Sequence, residues 1–185
     1  EIVPQGLRVL RRCAEAYDFS LRTDAFDWGA GHYRDHGRFM PKDGLETLRE
    51  YDAIYFGAVG LPDVDDTLPA MKYTFRVRTG FKQYVNLRPA QLLPGIDSPL
   101  RDASQGEVDF VIVRENTEGE FVQNGKIIHP DEPYGLATDT SVFTRHGIER
   151  VAHYAFRLAR TRDQKVTNVT KSNTLVHSLA YWDRI

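Results

Sequence analysis

The apolar positions of the chain first recur at helical spacing. Val3, Leu7, Leu10 and Ala14 fall on one face, which predicts an amphipathic helix from Val3 to Tyr17. Phe19 to Phe26 alternates like a strand. Asp27 to Pro41, rich in Gly, His and Asp, reads as a loop, and Asp43 to Glu50 as a short helix with Leu45 and Leu48 turned inward. Ala53-Ile54-Tyr55-Phe56 is a continuous apolar run closed by Gly57, the pattern of a buried strand in a parallel α/β sheet.

The pattern then changes. Gly57 to Pro62 is a loop leading into the acidic stretch Asp63 to Asp66, and Pro69 to Tyr84 reads as helix. Val85 to Gln91 is extended, with Pro89 and Pro94 at its borders. Val108 to Arg114 reads as a second buried strand. Two β-like pieces, Lys126–His129 and Ala137–Val142, are joined by a Pro/Asp/Gly turn. Thr144 is placed to cap a helix whose stripe is Ile148, Val151, Ala152, Ala155 and Ala159. Lys165 to Thr170 reads as a strand, and a last helix is expected from about Asn173.

Alternating strands and helices argue for an α/β protein. A crossover is expected near Tyr84, dividing the chain into residues 1–84 and 85–185. The region 121–142 stands apart as a protruding two-stranded arm; such a ribbon is barely stable alone, so pairing with a second subunit is expected. The chain opens at Glu1-Ile2-Val3-Pro4 without an initiator Met, and both ends read as helix. Both ends are therefore expected to lie inside a larger fold.

Composition narrows the partners. Hydrophobic residues make up 41% and charged residues 27%, as in an ordinary globular protein, and the net charge is −2. That balance points away from nucleic acid and from an anionic membrane surface. No apolar run approaches the roughly 20 residues that span a bilayer. The single cysteine, Cys13, fits a reducing cytoplasm.

Three segments carry candidate chemistry: Arg78 with Asn86-Leu87-Arg88-Pro89, Val113-Arg114-Glu115-Asn116-Thr117-Glu118-Gly119-Glu120, and Thr170-Lys171-Ser172-Asn173. Arg88 and Arg114 end extended segments, where ligands of open α/β sheets gather. A guanidinium there offers a planar fork that matches a carboxylate with two parallel hydrogen bonds. Three such groups facing one cleft suit a ligand with more than one carboxylate. Lys171 follows a predicted strand and precedes a helix; it serves as a base near neutral pH only if neighbouring cations or burial lower its pKa. Taken singly, each arginine reads as a surface ion-pair residue and Lys171 as a solvated lysine.

Taken together the segments resemble the isocitrate and isopropylmalate dehydrogenase family of β-decarboxylating dehydrogenases. Gly57-Ala58-Val59-Gly60, Asn86-Leu87-Arg88-Pro89, Arg114-Glu115-Asn116-Thr117-Glu118-Gly119, Ser141-Val142-Phe143-Thr144-Arg145 and Lys171-Ser172-Asn173 stand in the family's order at compatible spacing. Gln83 to Pro89 and the Glu-Asn-Thr-Glu-Gly-Glu run look closest to its tartrate/D-malate dehydrogenase branch. The resemblance implies a two-domain isopropylmalate-dehydrogenase-like fold with a β arm, present here as an incomplete chain, the first domain on the cofactor side. It implies NAD, a divalent Mg or Mn ion, a small 2-hydroxy dicarboxylate such as D-malate or tartrate, and a homodimer. By the same resemblance Arg78, Arg88 and Arg114 bind the substrate carboxylates and Lys171 takes the hydroxyl proton as hydride leaves. Asn173 and the loop holding Gly60 and Leu61 meet the cofactor. The metal-binding aspartates are expected outside this segment. Isopropylmalate or isocitrate dehydrogenases are the rivals within the family.

One position departs from the family. Seven residues after Arg114 the family places a tyrosine that helps protonate the enolate; here Phe121 has no exchangeable proton. A non-catalytic homologue or regulatory subunit is the rival reading that this raises. Thr74, where isopropylmalate enzymes place an aliphatic residue, suits a small or polar substituent; facing solvent is the alternative. His32 and His36 are four apart but sit in Gly31-His32-Tyr33-Arg34-Asp35-His36-Gly37, which reads as a solvated loop rather than a metal pair.

Overall fold

The computed structural model describes residues 2–101, 104 and 106–185. The chain divides into two compact units, Glu1–Gly80 and Phe81–Ile185.

In the first unit, α1 (Ile2–Ala16) forms where the apolar stripe predicts it. It lies against the segment 53–57: a methyl group at Gly6 would overlap the Tyr55 ring, and one at Gly57 would overlap Val3. The expected loop at 27–41 instead contains α2 (Ala30–His36), which stops at Gly37 in the left-handed conformation, φ 69. That glycine ends the helix cheaply, and its N–H reaches the Tyr33 carbonyl. α3 (Gly44–Leu48) buries Leu48, and Leu45 packs against Gly80. A helical stretch follows, made of α4 (Thr67–Pro69), a single π turn (Ala70–Thr74) and α5 (Phe75–Gly80). The core gathers Ala30, Phe39, Met40, Leu48, Tyr73, Phe75 and Val77. Phe39 stacks on Tyr33 at 4.6 Å, and Tyr73 meets Phe56 at 5.0 Å.

Two expected strands of this unit do not form. Neither Phe19–Phe26 nor Ala53–Phe56 pairs with another strand among the described residues, and Tyr55 and Phe56 are 50% and 36% exposed rather than buried. An apolar run supplies propensity, but a strand exists only through a partner for its N–H and C=O groups.

The second unit contains β1 (Val85–Gln91), β2 (Asp109–Glu115), β3 (Gly119–Ile128), β4 (Leu136–Val142), α6 (Arg145–Ala159) and α7 (Ser178–Arg184). Among the described residues its strands pair two by two and antiparallel, β1 with β2 and β3 with β4, where the pattern leads to a parallel sheet. β2 is also less buried than its composition suggests: Phe110 and Ile112 are each 50% exposed. The β3–β4 ribbon is the expected arm, with a register shift between Gly119 and Asn124. α6 packs on β2 and buries Gly147, Ile148 and Val151. Thr144 caps it as predicted, its hydroxyl accepting from the Gly147 N–H at 3.0 Å.

Lys165–Thr170 is extended but unpaired among the described residues, with Val169 91% exposed. The last helix starts at Ser178 rather than near Asn173. Between them the chain turns on Lys171, whose carbonyl accepts from Thr174 N–H at 3.0 Å and Leu175 N–H at 2.9 Å.

Candidate active site

The β1–β2 register decides which side chains share a face. Asn86 stands opposite Arg114, and Arg88 opposite Ile112. Residues opposite one another in an antiparallel pair, and residues two apart on one strand, project to the same side. Arg88, Asn86 and Arg114 therefore occupy one face of the ribbon, and Glu115 the other. Arg88 Nε donates to Asn86 Oδ1 at 2.9 Å, while the guanidinium carbon of Arg114 lies 4.3 Å from the centre of the Phe121 ring.

The far face is tied to α6. The Glu115 carboxylate accepts from Thr117 N–H at 2.7 Å, Thr117 Oγ1 at 2.8 Å, Glu118 N–H at 2.6 Å and Arg150 Nη2 at 3.1 Å. Its side chain is only 6% exposed, so this ion pair is shielded. Arg150 also donates to Thr117 Oγ1 at 2.6 Å and lies over the Tyr84 ring at 4.8 Å. Its Nε is buried without a hydrogen-bond partner among the described residues. Glu118 closes the assembly, accepting from Thr144 N–H at 2.8 Å and Thr144 Oγ1 at 2.6 Å. A methyl group at position 147 would overlap that carboxylate, so a larger residue there would require Glu118 to move.

A cleft of about 910 Å³ opens in the second unit beside these groups. Arg114, Phe121 and Glu118 line one part of it, and the extended run from Lys165 to Thr170 another. Lys171 follows directly, with an exposed side chain, and Asn173 is likewise exposed two residues on. Arg88 lies on the strand surface outside the lining of this cleft.

The first unit holds the other expected site residues. Thr74, in the π turn, and Arg78, in α5, are four residues apart, one helical turn, and both are half-buried. Gly60 and Leu61 lie in a loop pinned by Ala30 N–H to the Val59 carbonyl at 2.9 Å and Val64 N–H to the Leu61 carbonyl at 3.0 Å. The His32 and His36 rings lie 4.5 Å apart on α2, tilted at 54° to each other, and a His32 ring nitrogen shares a hydrogen bond with the Arg38 carbonyl. Among the described residues, no three His, Cys, Asp or Glu side chains cluster to hold a metal ion, so this stretch does not by itself fit Mg or Mn.

A profile of isocitrate/isopropylmalate dehydrogenase matches residues 1–185. The chain belongs to the isocitrate/isopropylmalate dehydrogenase family. Within that family it is 45% identical over 187 residues to a probable tartrate dehydrogenase/decarboxylase of Agrobacterium vitis, covering 100% of this chain and 52% of that protein. It is 44% identical over 186 residues to the decarboxylating D-malate dehydrogenase of Escherichia coli K12, covering 99% of this chain and 52% of that protein. Isocitrate dehydrogenase from Methylococcus capsulatus superposes with a TM-score of 0.74 at 29% identity, over 92% of this chain and 48% of that one. The chain spans about half the length of the curated relatives it matches. No helix among the described residues is long and apolar enough to cross a membrane.

Reading the family motifs brings out Arg88, Arg114 and Lys171. Asn86 and Asn116 stand in the same motifs without an assigned role, and Arg150 lies outside them; register and long-range hydrogen bonds fix what these three side chains do.

Proposed function

We propose that the full-length protein oxidises a small 2-hydroxy dicarboxylic acid, such as D-malate or tartrate, with or without β-decarboxylation of the keto acid. The observation that carries this reading is the pair of arginines, Arg88 and Arg114, held on one face of the β1–β2 ribbon. Two guanidinium forks on one face suit carboxylates, and the relatives named for tartrate and D-malate supply the chemical class.

In this reading Arg88, Arg114 and Arg78 bind the carboxylates, and Lys171 takes the proton from the hydroxyl as the C2–H bond breaks. NAD supplies a hydride acceptor at that carbon. Gly60 and Leu61 of the first unit, and Asn173 of the second, are assigned to the cofactor. Thr74 meets the substituent that distinguishes malate, tartrate and bulkier acids. The divalent ion is assigned to aspartates of the full-length protein outside this segment. The β3–β4 arm, with Ile127 and Leu136 exposed, is assigned to a homodimer contact.

A substrate panel tests the proposal. Full-length protein with NAD and Mn²⁺ is offered D-malate, both tartrate enantiomers, isocitrate and 3-isopropylmalate, and NADH is followed. Turnover is expected with malate or tartrate. Turnover confined to isocitrate or isopropylmalate overturns the substrate assignment. No turnover with any acid supports the second reading, a non-catalytic homologue, which Phe121 at the tyrosine position motivates.

A further inference from the structure

Asn86 stands between Arg88 and Arg114. It lies opposite Arg114 on the neighbouring strand and two residues before Arg88 on its own. Both ends of its amide are engaged: Oδ1 accepts from Arg88 Nε at 2.9 Å, and Nδ2 donates to Asn116 Oδ1 at 3.4 Å. Asn116 is buried, 3% exposed, and is fixed in turn. Its Nδ2 donates to the Gln83 carbonyl at 3.0 Å, and its backbone N–H to the Tyr84 carbonyl at 3.0 Å.

The polarity of this line is forced from both ends. An arginine Nε–H only donates, and a backbone carbonyl only accepts. Asn86 must therefore turn its oxygen to Arg88 and its nitrogen to Asn116. Asn116 must turn its oxygen to Asn86 and its nitrogen to Gln83. Each amide has one orientation that satisfies its neighbours.

A simple clamp between β1 and the turn after β2 needs only the bonds from Asn116 to residues 83 and 84. Those bonds, with the β1–β2 ladder, join the strands without Asn86. What Asn86 adds is the bond to Arg88. That bond restrains an otherwise rotamer-rich side chain through Nε and leaves its two Nη groups to meet a carboxylate together. Ordering the guanidinium before a ligand arrives removes that ordering cost from binding.

We propose that Asn86, backed by Asn116, is a positioning residue that presents the Arg88 guanidinium to a substrate carboxylate. This rests on the assignment of Arg88 to substrate binding made above.

The test is a double-mutant cycle in the full-length protein, with KM and kcat for the acid that the panel identifies and the melting temperature of each variant. Arg88→Lys keeps the charge and gives up both the fork and the Nε–H; it should raise KM about tenfold. Asn86→Ala should raise KM about fivefold and leave kcat within about twofold. The double variant should be no worse than Arg88→Lys alone, because Asn86 then has no guanidinium to orient. Independent effects that multiply in the double variant would overturn the proposal. So would an Asn86→Ala variant that melts earlier with KM unchanged, the mark of a clamp only. If Arg88→Lys itself leaves KM unchanged, the assignment of Arg88 to the substrate fails, and the relay falls with it.

Discussion

Arg114 rests on Phe121: its guanidinium carbon lies 4.3 Å from the ring centre, at the root of the β3–β4 arm. Phe121 stands where the family's tyrosine is expected, and the aromatic face is kept although the hydroxyl is not. A ring beneath a guanidinium contributes about 1 kcal/mol at a half-exposed site, through the charge–quadrupole attraction and the flat surface it offers.

The shelf and the hydroxyl are separable. Phe121→Ala removes the shelf and is expected to raise KM for the acid about fivefold, the equivalent of ~1 kcal/mol. Phe121→Tyr keeps the shelf, so KM should stay within about twofold, while CO₂ released per NADH formed should rise as a proton donor is restored. Measuring both products in one assay decides the matter. An unchanged CO₂ ratio in Phe121→Tyr would show that the proton comes from elsewhere.

Lys171 ends the extended run 165–170 and starts the turn that leads to α7. Replacing it with Met keeps much of the side-chain length and removes the amine. The expected outcome is a fall in kcat of about 10²–10⁴-fold, the usual contribution of a positioned general base. Substrate-dependent thermal stabilisation should persist, since the arginines remain. Turnover at the original rate would exclude Lys171 as the base.

The legible parts of the fold were those decided within a few residues. The stripe Val3, Leu7, Leu10 and Ala14 encodes α1, and Thr144 followed by Gly147 encodes the start of α6. The arm follows from its own turn residues. Ala53–Phe56 and Lys165–Thr170 read as strands yet have no ladder among the described residues, because pairing is a long-range property that no local pattern contains. α2 was obscured by Gly31 and Gly37; the second of these ends the helix rather than forbidding it. At the site, Arg88, Arg114 and Lys171 stand out as motif residues. Asn86 and Asn116 stand in the same motifs without a legible role, since their partners Arg88, Gln83 and Tyr84 are recognised only after β1 is set against β2.

Thr74 lies one turn before Arg78, where the helix carries its π turn. If its hydroxyl meets the substrate, Thr74→Val removes a hydrogen bond and nearly preserves volume. The loss in kcat/KM should then be about tenfold for tartrate, whose extra hydroxyl loses its partner, and smaller for malate. Equal losses for the two acids would show that Thr74 does not read the substituent.

Glu115 links the site to its scaffold, and its replacement gives the sharpest prediction for stability. Its shielded carboxylate serves Thr117, the Glu118 N–H and Arg150, so Glu115→Ala leaves a half-buried guanidinium without its counter-charge and two backbone N–H groups without their acceptor. Breaking such a pair from one side is expected to cost about 3 kcal/mol. Thr144→Ala, which removes only a helix cap and a bond to Glu118, should cost about 1 kcal/mol. Urea titration of both variants orders them. A cost for Glu115→Ala no larger than that of the cap would mean that water replaces the carboxylate freely, and that β2 is held to α6 by Ile148 and Val151 rather than by charge.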